Sequence, residues 1–374
     1  MLFNVCALYI KIMNNENQTI HKSDDNLTIY GWDEKLNQLK QESIYSTLAH
    51  GRVSIVHRTC YEVISGNGLF QCELTGNMMY GKSDDELPCT GDWVIFQPFD
   101  EHKGIIVDRL PRERTLYRKK SGTVADKQAI ASYVDKAFIV QSLDDNFNVR
   151  RVERFMVQIM EENISSVLVL NKADLDFDRQ SVEEQIKHIS SQIPVFFTSI
   201  HQLETIVRLR KSISEGETVV FVGSSGVGKS SLVNALCEKP VLLTSDISLS
   251  TGKGRHTSTR REMVLMDSSG VLIDTPGVRE FGLAIDNPDS LAEVLEISDY
   301  AELCRFKDCK HINEPGCSVI EAVNSGALDS KVYESYLKLR REAWHFSASE
   351  HEKRKKEKSF TKLVEEVKNR KANR

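Results

Sequence analysis

Proline is scarce, with 8 in 374 residues, and glycine contributes only 20. Collagen-like and proline-rich chains need several times more of both and are excluded. The 8 cysteines are too few to staple so long a chain as a disulfide scaffold. No apolar run approaches the ~20 residues that cross a bilayer, so no membrane association is expected. The apolar opening, Met1–Ile10, has neither a basic start nor a small-residue cleavage site, and no signal peptide is expected. What is there is 40% hydrophobic and 28% charged, the mixture of a soluble globular chain rather than a disordered one. At ~150 residues per domain, two or three domains are expected.

The net charge of −5 hides a split. Ser335–Arg374 carries 13 Lys and Arg against 6 Asp and Glu, and the rest of the chain carries 36 against 48. A basic tail on an acidic body suits a polyanionic partner, and equally a solvated C-terminal helix. Cys6, Cys60, Cys72, Cys89 and Cys237 are scattered, whereas Cys304, Cys309 and Cys317 lie close together around His311. Scattered thiols beside one cluster read as small buried hydrophobes plus a metal site in a reducing, cytoplasmic setting.

Residues 1–44 hold polar runs (Asn14–Asn17, Asp24–Asn26) and little apolar pattern, which reads as a loosely ordered arm with one short helix over Asp33–Gln41. From Gly51 to Leu110 the texture changes to short alternating runs: Arg52–Arg58, Cys60–Ser65, Leu69–Leu74, Asp92–Gln97 and Ile105–Leu110. Turn residues such as Gly66-Asn67-Gly68 and Thr90-Gly91-Asp92 separate them. Five strands in so short a span predict a small antiparallel barrel. An OB-fold is one such barrel, but any five-stranded barrel gives this pattern.

From Tyr133 to Asp274 apolar strands alternate with helical stretches. The strands are Ala137–Val140, Ser166–Leu170, Val195–Thr198, Thr218–Val222 and Val271–Asp274, with Arg261–Met266 a further one. The helices are Arg151–Glu162, Ser181–Ser191, Gln202–Lys211 and Lys229–Cys237. The alternation predicts an α/β domain on a largely parallel sheet. Beyond Pro288 the chain reads helical, with amphipathic stretches at Ser330–Phe346 and Ser359–Arg370.

Three motifs carry chemistry. Gly223-Ser224-Ser225-Gly226-Val227-Gly228-Lys229-Ser230 fits the phosphate-loop pattern, between a predicted strand and a predicted helix. Its glycines let backbone N–H groups face phosphate oxygens, and the helix N-terminus adds positive potential. Lys229 is expected on the β- and γ-phosphates and the Ser230 hydroxyl on Mg²⁺. Asp274-Thr275-Pro276-Gly277 ends another strand, so Asp274 suits Mg²⁺ and the Gly277 N–H the γ-phosphate. Asn171-Lys172-Ala173-Asp174 ends a third. Asp174 can accept from both N1–H and the amino group of guanine, a pair adenine lacks. The segment Thr198-Ser199-Ile200, ending the next strand, can offer a backbone contact to the base. These are the motifs of a GTP/GDP site, but the base-reading segment precedes the phosphate loop. A circular permutation accounts for that order without dropping any motif.

With these motifs the chain resembles the ribosome small-subunit-dependent GTPases, the RsgA/YjeQ family, over roughly residues 45–320. The resemblance rests on Gly91-Asp92-Trp93-Val94, Asn171–Asp174, Gly223–Ser231, Gly254-Arg255-His256-Thr257-Ser258-Thr259, Asp274–Gly277, Cys304–His311 and Glu314-Pro315-Gly316-Cys317. It implies an N-terminal OB-fold β-barrel, a central α/β circularly permuted P-loop GTPase domain and a mainly α zinc-binding domain. The expected divisions are an extension at 1–44, barrel at 45–112, GTPase domain at 113–285, and zinc domain with basic tail at 286–374. The resemblance further implies GTP hydrolysis stimulated by the small (30S) ribosomal subunit, contact with its rRNA, and a part in late subunit maturation. A cytoplasmic monomer is expected. By the same resemblance Thr257 holds Mg²⁺ and the γ-phosphate, and the phosphate-loop contacts extend to Ser231.

A water-orienting Gln is missing: its usual place holds Val278. His256 is the candidate to position water, with Arg255 an alternative that would supply positive charge instead. Gly226 stands where potassium-assisted relatives carry Asn, which argues against a potassium-driven mechanism. Cys304, Cys309, His311 and Cys317 supply three thiolates and one imidazole, which suits one tetrahedral structural Zn²⁺ with no open position. Arg305, Lys307 and Lys310 between them would present cations to RNA phosphates.

Overall fold

The computed structural model describes residues 25–79, 83, 85–119, 127–238, 262–267, 270–274 and 288–347. The barrel comprises β1 (Ala49–Val56), β2 (Tyr61–Ser65), β3 (Gly68–Leu74), β4 (Trp93–Asp100) and β5 (Lys103–Arg109). Period-two alternation turns Val53, Val63, Phe70, Cys72, Val94, Phe96 and Ile106 into one interior cluster. The strands run in the order β1-β2-β3-β5-β4, and β4 pairs back onto β1 to close the ring. One seam differs from the antiparallel expectation: β3 and β5 run parallel. The chain returns along β4 before laying β5 beside β3, and a list of short alternating runs does not reveal that crossing.

The central sheet places β10 (Val195–Phe197), β9 (Ser165–Asn171), β8 (Lys136–Ser142), β11 (Thr218–Val222) and β13 (Val271–Asp274) side by side, all parallel. Strand β12 (Glu262–Leu265) adds antiparallel to β13. Near-continuous apolar runs fit strands covered on both faces. The Val149–Glu161 helix and the C-terminal helices Pro288–Val294 and Ser330–Ser347 help cover one face. The Leu203–Arg210 and Lys229–Cys237 helices cover the other. A bridge between Ile55 and Glu262 joins barrel and sheet. A hairpin of β6 (Leu116–Lys119) and β7 (Lys127–Ala131) links the two and was not foreseen from the sequence.

The expectation of a loose arm fails for the segment from Asp25 onward. Leu27, Trp32 and Leu36 are buried with Trp93, Ile95, Leu110 and Tyr133. Asp33 caps the Glu34–Glu42 helix by accepting from the Leu36 N–H. Three large apolar side chains among many polar ones suffice to dock the segment, although they make no obvious periodic pattern. Beneath it Arg52 of β1 is buried, and burial lowers its guanidinium to about 10, still charged at neutral pH. It donates to the Gly91 carbonyl (3.0 Å), the Thr218 hydroxyl (2.8 Å), the Tyr133 carbonyl (3.3 Å) and the Tyr30 carbonyl. One side chain thus fastens arm, barrel and the first residue of β11.

The C-terminal helices are held by polar contacts as well as apolar ones. Buried Glu153 accepts from Ser335 Oγ (2.7 Å) and meets His188 Nε2 (3.0 Å). Arg154 pairs with Glu342 at 2.8 Å. Among the described residues no helix is long and apolar enough to cross a membrane. The Ser359–Arg370 stretch and the end of the basic tail lie outside the described residues.

Candidate functional site

The loop 223–228 leaves β11 at the carboxyl end of the sheet, where open parallel sheets bind ligands. Gly223 has φ +153°, and a Cβ there would fall 2.4 Å from the Val140 carbonyl oxygen of β8. Gly228 has φ +92°, and its Cβ would fall 2.4 Å from Asn171 Nδ2. Only glycine fits either position. Lys229 Nζ donates to the Gly223 and Ser224 carbonyls at 2.8 Å each, so the ammonium lies over the loop. Ser230 and Ser231 follow in the first turn of the helix and are half-buried, while Ser225 and Gly226 are exposed at the loop's tip and Val227 is buried.

The base-side segment meets this loop directly. Buried Asn171, the last residue of β9, donates through Nδ2 to the Val227 carbonyl (2.9 Å). Its Oδ1 accepts from Thr198 Oγ1 at 3.3 Å. Lys172 takes a left-handed φ of +61°, and its Nζ meets Asp144 Oδ2 at 2.8 Å. Burial pushes the Asp144 carboxyl up, but hydrogen bonds from Lys172, Ser142 and the Asn146 N–H outweigh it and hold the group at about 2. The exposed Asp174 carboxylate is hydrogen-bonded by the buried Ser199, which keeps it below the usual carboxylate range. Asn171, Lys172, Asp174, His201, Gly228 and Ser231 share one cavity of about 230 Å³, flanked by the apolar side chains of Leu175 and Ile200. Its polar edge and apolar walls can take a planar heterocycle while the glycine loop takes the attached phosphates.

Asp274 is the last residue of β13, whose Ile273 lies in register with Val220 of β11. Thr257, Gly277 and His256 lie outside the described residues. Sequence reasoning missed Asp144, Arg151 and His201, and it expected Ile200 only as part of the segment after the Val195–Thr198 strand, whereas its side chain forms a cavity wall. The signal for Asp144 is its place two residues past β8, at the edge where strand ends carry the site, though its contact with Lys172 depends on strand order.

At the other end of the chain, one ligand atom each from Cys304, Cys309, His311 and Cys317 lies within 4.8 Å of the other three. His311 Nδ1 faces both Cys304 Sγ and Cys317 Sγ at 3.4 Å. Burial, then the charge of Arg340, lowers the His311 pKa, favouring the neutral imidazole that a metal requires. Burial drives the Cys317 thiol up to about 12. The Glu314 carboxylate accepts from the N–H groups of Ile312 (2.9 Å), Asn313 (3.0 Å) and Lys310 (3.1 Å), shaping the loop between ligands. Tyr333 Oη donates to the His311 carbonyl at 2.6 Å, tying the cluster to the Ser330–Ser347 helix. This donor set can hold a metal ion.

A parallel sheet with a phosphate loop, and a base-side segment that precedes that loop in the chain, defines a circularly permuted P-loop GTPase. The RsgA GTPase family model matches residues 109–284. An ABC transporter model matches residues 206–369, and the span shared by the two contains the phosphate-loop pattern common to P-loop proteins. A Bacteroides thetaiotaomicron protein named small ribosomal subunit biogenesis GTPase RsgA 1 is 76% identical over 361 residues, covering 96% of this chain and all of that one. A Leptospira interrogans protein named small ribosomal subunit biogenesis GTPase RsgA is 35% identical, covering 91% of this chain and 96% of its own. The crystal structure of YjeQ from Thermotoga maritima superimposes with TM-score 0.61 at 26% identity, covering 79% of this chain and 98% of that one. YloQ, described as a circularly permuted GTPase, gives TM-score 0.60 at 21% identity over 82% and 99% of the two chains, a likeness of fold. The chain belongs to the RsgA GTPase family.

Proposed function

We propose that this protein binds the small (30S) ribosomal subunit, hydrolyses GTP to GDP and phosphate under that subunit's stimulation, and acts in the subunit's late maturation. The observation that carries the nucleotide part is the shared cavity, in which Asp174 and the phosphate-loop residue Gly228 line one space. The subunit is taken from the names of relatives that align along nearly the whole chain.

In this reading Asp174 selects guanine, with Thr198 and Ser199 behind it, and Asn171 bolts the base side to the loop. Lys172 lies along the nucleotide, anchored by Asp144. The N–H groups of residues 223–231 and the Lys229 ammonium hold the phosphates. Ser230, Asp274 and Thr257 hold Mg²⁺, which when bound neutralises charge on the phosphate oxygens. The Gly277 N–H meets the γ-phosphate. Val278 cannot orient water, so His256 takes that task when the subunit is bound.

Cys304, Cys309, His311 and Cys317 hold one structural Zn²⁺. Arg305, Lys307 and Lys310, beside the exposed Leu303 and Phe306, face rRNA. The protein acts as a cytoplasmic monomer. Because the metal-binding region follows the Asp274–Gly277 segment in the chain, nucleotide state sets its pose.

The test is GTP turnover with and without purified 30S subunits, with 70S ribosomes as control. Stimulation confined to 30S is expected, lost in His256→Ala while nucleotide affinity persists. Turnover indifferent to 30S would end this reading.

A further inference from the structure

Three arginines lie in the Val149–Glu161 helix with different fates. Arg150 approaches Glu334 and Arg154 pairs with Glu342, both on the C-terminal helix. Arg151 makes no ion pair among the described residues. Its Nη1 donates to Ser224 Oγ of the phosphate loop at 2.9 Å and to the Asn146 carbonyl at 3.3 Å. Ser224 thus receives two cations, Arg151 on its hydroxyl and Lys229 on its carbonyl.

The placement is unfavourable without an anion. Arg151 stands in the helix's first turn, where its own N–H is capped by Asn148 Oδ1. The positive end of the helix dipole repels a cation there, and no acidic residue lies in that turn to offset it. The Arg151 guanidinium, without an acidic partner among the described residues, and the Lys229 ammonium converge on one loop residue. That loop's backbone is shaped for phosphate.

We propose that Arg151 is an arginine supplied in cis to the terminal phosphate of GTP, leaving Ser224 for a γ-phosphate oxygen when the triphosphate binds. The guanidinium is charged at any physiological pH and presents several donors in a plane, which suits the charge spread over the γ-oxygens during transfer. GDP lacks that phosphate, so with GDP Arg151 stays on Ser224. The resting hydrogen bond thereby marks the diphosphate and free states. The assignment rests on the GTP-site reading above, and it places the stimulating cation on a helix of the sheet domain instead of at Arg255.

The test compares affinities of the full-length chain for GDP and a non-hydrolysable GTP analogue, with single-turnover GTP hydrolysis, in wild type, Arg151→Ala, Arg151→Lys and Ser224→Ala. Arg151→Ala is expected to bind GDP within about twofold of wild type while losing about tenfold or more in affinity for the analogue, the range of a charge-assisted hydrogen bond, and to hydrolyse more slowly. Arg151→Lys should recover part of the affinity and less of the rate. Ser224→Ala frees the guanidinium and should keep or increase the preference for the triphosphate. Equal losses for GDP and the analogue in Arg151→Ala, or a Ser224→Ala that copies it, would overturn the proposal and leave Arg151 a brace for the loop. If Arg151→Ala does not fold, the contrast between Arg151→Lys and Ser224→Ala decides by the same criterion. A wild-type chain that binds neither nucleotide would instead refute the GTP site itself.

Discussion

Asn171 and Gly228 are packed so closely that a methyl group on Gly228 would fall 2.4 Å from the Asn171 amide nitrogen, which is itself bonded to the carbonyl of Val227. The base side and the phosphate side of the cavity are therefore one mechanical unit, despite lying 50-odd residues apart in the chain. Gly228→Ala would strain a φ of +92° and push Asn171 off Val227. It is expected to cost nucleotide affinity by more than tenfold, since a lost buried hydrogen bond and backbone strain each carry about 1–3 kcal/mol. Asn171→Ala should cost a similar amount without backbone strain. Equilibrium titration with a fluorescent GDP checks both, and wild-type affinity in Gly228→Ala would contradict the coupling.

Base choice follows from Asp174. Its carboxylate is exposed on the cavity side and steadied by the Ser199 hydroxyl, so it is an acceptor already in position. Asp174→Asn reverses part of that polarity and should weaken guanine nucleotides by about a hundredfold, the loss of two hydrogen bonds to a charged group, while improving xanthine nucleotides. Competition between GTP and XTP for the labelled site reads the switch. Unchanged selectivity would remove Asp174 from the base.

The strands of the barrel and of the central sheet were legible because period-two alternation and continuous apolar runs are local signals, and the three strand-end motifs came with them, whereas the β6–β7 hairpin was not. The parallel seam between β3 and β5 was not, because crossing order is global. The docked arm was hidden for another reason: Leu27, Trp32 and Leu36 are isolated apolar residues whose burial depends on Trp93 and Tyr133 far along the chain. Asp144 and Arg151 escaped because their contacts, Lys172 and Ser224, are set by strand order and not by spacing. The metal cluster was readable because its ligands are close in sequence.

Asp144 makes a pH-dependent contribution. Its pKa is held at about 2, against an ordinary 3.8. A carboxyl lowered in the folded state stabilises above its unfolded pKa, and that contribution fades as pH falls through the folded value. Wild type should therefore melt higher than Asp144→Asn at pH 5 to 7, with the two converging as pH drops from about 4 toward 2. Asp144→Asn also releases Lys172, so GDP affinity should fall severalfold at neutral pH. A melting difference unchanged down to pH 2 would show that Asp144 acts by packing alone.

Cys317 joins the metal cluster to the apolar core. Its side chain is buried with Val319, Ala322, Leu328 and Tyr336, and it lies 3.8 Å from Cys304 Sγ and 3.4 Å from His311 Nδ1. A bound cation would take its cysteine ligands as thiolates and fix the loop that Glu314 shapes, so metal binding and local folding should be linked. Metal analysis of wild type is expected to show one zinc per chain, and Cys317→Ser is expected to lose it. It should also raise hydrogen exchange from Ser298 through Ser347 and leave GDP affinity nearly unchanged, because the nucleotide cavity uses none of these residues. A chelator should reproduce the exchange pattern in wild type. A zinc-free wild type whose exchange over this span ignores the chelator would make the cluster a set of reduced core thiols.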